Sequence, residues 1–341
     1  GVSCVPLKGR SMKMAVIGAG SWGTTVAALA ARRQPVTLWA RRPELAEAIN
    51  GGENPDYLGG FRLPYGLRAS TDLGQTVEDV GAVIMAVPSH GYRTVLGQLA
   101  DHLDDEVPLL SLTKGIEQGS LKRMSEVTIE ELPSHDATRV GVMTGPNLAK
   151  EIMQGQPAAT VIAMEDEATA ARLQEAFMDP TFRVYTNTDL VGCETAGALK
   201  NVMAIAAGMA RGLGLGDNTL AALITRAIAE LTRLGVSMGG DPMTFAGLAG
   251  VGDLIATCMS SQSRNHRVGF ELAKGHKLDQ IIKEMNMVAE GVKTTRAVLD
   301  LAERAGVETP IAQQVGSVLY ESAHPREAVL ALMTREAKRE A

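Results

Sequence analysis

Lys200 stands in the middle of residues 190–210, LVGCETAGALKNVMAIAAGMA, where Glu194 is the one other charge. At helical spacing its neighbours are Ala196, Gly197, Met203 and Ala204. An amine in such company either threads its stem out to water or is held for proton transfer. From this stretch alone, snorkelling is the simpler reading. Asp253 ends GLAGVGD (247–253), a run unsuited to a regular helix. It either approaches a ligand or caps an apolar helix over 254–259. Residues 260–267, SSQSRNHR, set Ser263, Arg264 and Asn265 just ahead of another apolar helix pattern. Hydroxyls and a guanidinium at a helix start suit an anion, and a polar surface loop is the plain alternative. Lys114 in TKG and Glu290 in MVAEGVK (287–293), a second glycine-containing turn, complete the set.

The elements that must position these residues begin with a nucleotide-binding pattern. Residues 13–17 (KMAVI) predict a strand, followed by Gly18-Ala19-Gly20-Ser21-Trp22-Gly23, an Ala-rich helix to about Arg32, and a second strand over 35–40. This is G-x-G-x-x-G with a strand before it and a helix after it, as a dinucleotide site requires. Gly18 allows the tight turn, Gly20 the approach of a pyrophosphate, and Gly23 close helix–strand packing. A plain glycine-rich turn is the alternative. At the end of the second strand, where an NAD site carries a carboxylate, the chain has Ala40-Arg41-Arg42 and no acid before Glu44. Two guanidiniums suit a 2′-phosphate, so NADP is favoured over NAD.

Further strands are expected over 83–87, 107–112, 139–143, 159–164 and 182–186. Helices lie between them over 91–103 (with Ser89 as its cap), 121–132 and 167–178. Strands alternating with helices mean a doubly wound, mostly parallel sheet. Ligands then lie beyond the carboxyl ends of the strands, where Lys114 and the Gly145–Asn147–Ala149 turn fall. After Asn187 the strand signal stops. Helices are expected over 188–211, 219–234, 242–246, 265–274, 278–285, 293–305 and 311–320, with a polar tail over 325–341. The fold class is α/β plus all-α: a Rossmann domain over 12–187 and an all-helical substrate domain over 188–341. Residues 1–11 match no element and are expected to be a leader or cloning remnant.

Composition bounds the rest. A hydrophobic share of 45% and a charged share of 21% describe a folded globular chain, and the net charge of −6 argues against nucleic acid as partner. The three cysteines and six histidines show no metal-ligand spacing, so no metal is expected and the thiols should be reduced, which points to the cytoplasm. Residues 12–33 resemble a signal peptide, but their glycines and Arg32-Arg33 break that pattern. No run of 18 apolar residues is seen, so no membrane span is expected.

The segments GAGSWGT, VPSH, LTKGIE, GPNLAKE, CETAGALKNV, AGVGDLIATC, SRNHRVG and VAEGV occur in that order across residues 12–323. Together they resemble the NAD(P)-dependent glycerol-3-phosphate dehydrogenases of bacterial type. The resemblance implies interconversion of sn-glycerol 3-phosphate and dihydroxyacetone phosphate, supplying phospholipid synthesis, by a two-domain enzyme. A homodimer is one assembly it leaves open. It implies Lys200 as proton acceptor, and Lys114, Gly145, Asn147, Asp253, Ser263, Arg264 and Asn265 around the substrate. Ser21, Trp22, Arg41, Arg42, Lys114, Ala149, Arg264, Val288 and Glu290 would meet the dinucleotide. Asn147 replaces the serine of many members. Burial, with Lys114 or Arg264 nearby, would lower the Lys200 pKa, and Asp253 would oppose that. Other two-domain dehydrogenases, and a nucleotide-sensing module without catalysis, are the rival readings. The presence of Lys200, Asp253 and Arg264 together counts against the second.

Overall fold

The computed structural model describes residues 12–285 and 289–336. Its first half is one sheet with helices on both faces. In chain order the elements are β1 (Met14–Ile17), α1 (Ser21–Ala30), β2 (Val36–Trp39), α2 (Pro43–Asn50), β3 (Leu67–Ser70), α3 (Leu73–Val77), β4 (Ala82–Met85) and α4 (Ser89–Leu99). There follow β5 (Leu109–Ser111), α5 (Met124–Glu131), β6 (Val140–Thr144), α6 (Ala149–Met153), β7 (Ala158–Met164), α7 (Glu167–Phe177) and β8 (Phe182–Asn187).

The eight strands lie in the order β3-β2-β1-β4-β5-β6-β7-β8. All neighbours are parallel except β6 and β7. The first six reproduce the doubly wound order whose switch point lies beside β1. Central strands β1 and β4 are buried at every position because helices cover both faces, which is why MAVI and AVIM read as unbroken apolar runs. β3 (LRAS) was not foreseen. As an edge strand with one buried residue in four, it carries no apolar signature.

The second half is helical: α8 (Leu190–Gly212), α9 (Asp217–Ser237), α10 (Pro242–Phe245), α11 (Asp253–Met259), α12 (Arg264–Ala273), α13 (Leu278–Glu284), α14 (Glu290–Ala305), α15 (Pro310–Tyr320) and α16 (Pro325–Met333). α8 is the hub, capped by Asp189 through the Gly192 amide and packed against α9, α11, α12 and α14. Its small residues let α12 approach closely. A Cβ added at Gly208 would fall 1.9 Å from the His266 carbonyl oxygen.

Three local expectations need correcting. The residues beyond 325 include a helix, not a polar tail alone. His324 accepts the Arg326 amide, Glu327 accepts the His324 amide, and Pro325 opens the first turn. Glu290 and Gly291 begin α14 instead of forming a turn. Ser89 does not cap α4; it is the helix's first residue, after Pro88, and its hydroxyl serves Glu290.

Among the described residues one stretch, Pro242–Met259, is long and apolar enough to cross a membrane by length and composition, although Thr244, Asp253 and Thr257 interrupt its apolar run. It is not one continuous α-helix. α10 and α11 flank a π-helical turn over Leu248–Gly252, and the buried Asp253 inside it is ion-paired to two lysines. Those features belong to a protein core.

Candidate active site

Four elements bring three charged groups and a carbonyl to one point at the carboxyl edge of the sheet. Lys114 follows β5, Gly145 follows β6, Lys200 projects from the middle of α8, and Asp253 opens α11. Lys200 Nζ donates to Asp253 Oδ1 at 2.5 Å and to Thr257 Oγ1 at 2.6 Å. Lys114 Nζ donates to Asp253 Oδ2 at 2.7 Å and to the Gly145 carbonyl at 3.0 Å. Lys200 and Asp253 are 6% and 1% exposed, so Lys200 does not snorkel and Asp253 is no surface helix cap. One carboxylate therefore bridges two lysines from opposite halves of the chain.

This geometry sets the Lys200 pKa. Burial lowers it most, the Asp253 charge raises it, the Lys114 charge lowers it, and the result is about 8. Lys114, not Arg264, is the cation acting on it. An amine poised there can both give and take a proton near neutral pH. Gly197, one turn before Lys200, faces Thr144 Oγ1 and the stem of Lys114, so α8 passes close against the strand ends.

A second chain of hydrogen bonds ties the surrounding elements together. Asn201 donates to the Lys114 carbonyl at 3.1 Å, Asn265 donates to Asn201 Oδ1 at 3.0 Å, and the Gly291 amide donates to Asn265 Oδ1 at 2.9 Å. Glu290 then reaches back to the first half, accepting the Ser89 amide at 3.1 Å and its hydroxyl at 2.6 Å. Ser263 caps α12 through the His266 amide at 3.2 Å. Arg264, the first residue of α12, keeps an exposed side chain, yet desolvation pulls its pKa down; Glu290 and Tyr57 act in the opposite sense. Asn147 donates to Thr160 on β7 at 2.9 Å, while its Oδ1 is buried without a partner. Val288 lies outside the described residues.

The first half carries a surface that fits a dinucleotide. Gly18 has φ +120°, and a Cβ at Gly23 would fall 2.1 Å from the Gly18 carbonyl oxygen, so the loop closes tightly on α1. α1 starts at Ser21 with no capping side chain, and a Cβ built at Gly20 meets nothing within 4 Å. The helix therefore offers amides beside open space, as a pyrophosphate needs. Trp22, tilted against Phe182 at 6.4 Å between ring centroids, has a buried Nε1 with no partner. Ala149 opens α6, which packs on α1. At the end of β2 the two arginines differ. Arg42 is paired with Asp56 and lies 3.8 Å from Glu44, whereas the exposed Arg41 side chain makes no hydrogen bond or ion pair among the described residues.

Sequence reasoning missed Thr257, Asn54 and Asp56, and it read Ser89 only as a helix cap. Thr257 had a signal: it lies four residues after Asp253, on the same helical face. The others are placed by loops and cross-domain contacts that no local pattern marks.

Comparison with known proteins gives the same assignment for both halves. Residues 13–170 match the family described as NAD-dependent glycerol-3-phosphate dehydrogenase N-terminus, and residues 189–330 match its C-terminus. A glycerol-3-phosphate dehydrogenase [NAD(P)+] of Sphingopyxis alaskensis is 55% identical, over 90% of this chain and 92% of that protein. One from Streptomyces griseus is 50% identical, over 96% of this chain and 98% of that protein. Among solved structures, a glycerol-3-phosphate dehydrogenase from Coxiella burnetii superposes with a TM-score of 0.91 at 36% identity, covering 95% of this chain and 99% of that one.

Proposed function

The chain belongs to the NAD-dependent glycerol-3-phosphate dehydrogenase family, and from that premise we propose that Lys200 is its general acid and base. The reaction is the interconversion of sn-glycerol 3-phosphate and dihydroxyacetone phosphate with NAD or NADP. The bound nicotinamide supplies or accepts the hydride. In reduction, the Lys200 ammonium gives its proton to the ketone oxygen; in oxidation, the neutral amine takes the hydroxyl proton. Asp253 holds Lys200 in place, and Lys114, bound to the same carboxylate, faces the substrate and weakens the hold of Lys200 on its proton.

The substrate phosphate is assigned to Arg264, at the start of α12 beside Ser263 and Asn265. Its charge and the amides at the helix start suit a dianion. Binding at the phosphate, remote from the reacting carbon, supplies positioning energy for the hydride step. Gly145 and Asn147 line the substrate side; Gly18, Gly20, Ser21, Trp22, Gly23 and Ala149 hold the dinucleotide. NADPH is preferred, with Arg41 as the arginine free to meet its 2′-phosphate. Glu290 joins the cofactor edge through Ser89.

The observation that carries this reading is the Lys200–Asp253–Lys114 bridge, which leaves one amine with a pKa of about 8. Following NADPH and NADH oxidation with dihydroxyacetone phosphate tests the function directly. Consumption of neither cofactor sinks it. Glycerol 3-phosphate made this way feeds phospholipid synthesis. The buried, free Cys193 and Cys258 suit a reducing cytoplasm. A homodimer is the assembly that sedimentation should test.

A further inference from the structure

The segment Asn54-Pro55-Asp56-Tyr57 lies between α2 and β3, yet it is anchored on the dinucleotide loop. The wholly buried Asn54 amide donates to the Ala19 carbonyl at 3.0 Å and to Thr24 Oγ1 at 2.8 Å. Asn54 Oδ1 in turn accepts the Tyr57 amide at 3.2 Å. Ala19 sits inside the glycine fingerprint and Thr24 in the first turn and a half of α1, so the segment has a fixed position relative to the fingerprint. That anchor delivers the Asp56 carboxylate to Arg42 at the end of β2.

Sites of this fold ordinarily hold either a carboxylate there, for ribose hydroxyls, or an arginine, for a 2′-phosphate. This chain has both, and they are paired with each other. The acid comes from outside the β2 end, which is why that end reads as carrying arginine alone. We infer that Asp56 is a specificity-determining residue: by pairing with Arg42 it cancels one of the two guanidinium charges at the 2′ position and holds the preference for NADP over NAD in check. The pair lies at the surface, with side chains 44% and 43% exposed, so the restraint is modest and salt-sensitive. A moderated preference agrees with relatives whose names carry both cofactors. This inference rests on the proposed reading that the end of β2, with Arg41 free and Arg42 paired, meets the 2′-phosphate.

The test is equilibrium binding of NADP+ and NAD+ to Asp56→Asn, Arg42→Ala and the Arg41→Ala/Arg42→Ala double variant, beside the unaltered protein. Quenching of Trp22 and Trp39, the two tryptophans of the chain, reports binding, and melting curves check the fold. Asp56→Asn should shift the NADP+ to NAD+ affinity ratio toward NADP+ by about two- to fivefold. The gain should shrink at high salt, and Arg42→Ala should shift the ratio the other way. If the double variant loses NADP+ selectively while Asp56→Asn leaves the ratio unchanged or moves it toward NAD+, the role of Asp56 is overturned and the arginine assignment stands. Equal losses of both cofactors in the double variant overturn the arginine assignment itself. Should Asp56→Asn melt early, Asp56→Ala, with the Asn54 anchor untouched, carries the same measurement.

Discussion

Lys200 Nζ lies 2.5 Å from Asp253 Oδ1, with both side chains nearly sealed from water. An isolated ammonium so buried would shed its proton; an ammonium held by an unshared carboxylate would keep it far above neutral pH. Neither condition holds, because the other oxygen of Asp253 is bound to Lys114 at 2.7 Å. The carboxylate is divided between two cations, and Lys200 is left near pH 8. The two lysines that share this carboxylate therefore come from different halves of the chain.

Replacing Lys200 by Met keeps most of the length of the unbranched side chain and removes its amine. Turnover should fall by about 10²- to 10⁴-fold, the usual worth of a positioned acid or base. The dinucleotide loop is built by other elements, so NADPH affinity should stay within about twofold in a fluorescence titration. Near-normal turnover in steady-state assays would remove Lys200 from the chemistry.

The pH dependence should have opposite signs in the two directions. Reduction uses the ammonium form, so its kcat/KM should fall as pH rises through about 8; oxidation uses the amine and should rise over the same range. Asp253→Asn removes the charge that holds the Lys200 proton. Both midpoints should then move down by about one pH unit or more. Profiles measured in both directions check this, and unmoved midpoints would take Asp253 out of the proton-setting role.

What could be read from the chain follows from how local each feature is. β1, the glycine loop and α1 lie within seventeen consecutive residues, and their spacing alone declares them. α8 was legible because nearly all of it is buried, which demands apolar residues at every turn. β3 was not, since an edge strand needs only one protected face. Whether Lys200 snorkels could not be decided from its own neighbours. The deciding groups are Asp253, 53 residues on, and Lys114, 86 residues back; only folding makes them adjacent. Asp56 and Ser89 were hidden for a like reason: a loop anchor carries Asp56 to Arg42, and the start of α14 supplies Glu290 to Ser89.

Arg264→Ala should act on the phosphate end alone. Losing a charge-assisted contact to a dianion should raise KM for dihydroxyacetone phosphate by about ten- to a hundredfold. Unphosphorylated dihydroxyacetone, which lacks the phosphate, should show little change in kcat/KM. Arg264→Lys should recover only part of the loss, because an ammonium cannot form the paired contacts of a guanidinium. Equal losses on both substrates would place Arg264 elsewhere in the mechanism.

Arg123→Ala tests how the two halves are joined. Glu194, two turns before Lys200 on α8, is buried and accepts bonds from Arg123 at 2.7 Å and from the Ser125 amide and hydroxyl at 2.8 and 2.5 Å. Arg123 and Ser125 flank the start of α5, so this cluster fastens α8 to the helices that cover the sheet. Removing the arginine strands a buried carboxylate and should cost about 3 kcal/mol or more in denaturant unfolding at pH 7. Burial already raises the Glu194 pKa above its unfolded value even with Arg123 present. The folded state thus takes up the proton more readily than the unfolded one, and stability from this group is lost as pH rises. The Arg123→Ala deficit should therefore narrow as pH is lowered from 7 toward 5, and Arg123→Ala/Glu194→Gln should recover much of it. A deficit constant across that range would mean that the loss is one of packing, not of charge.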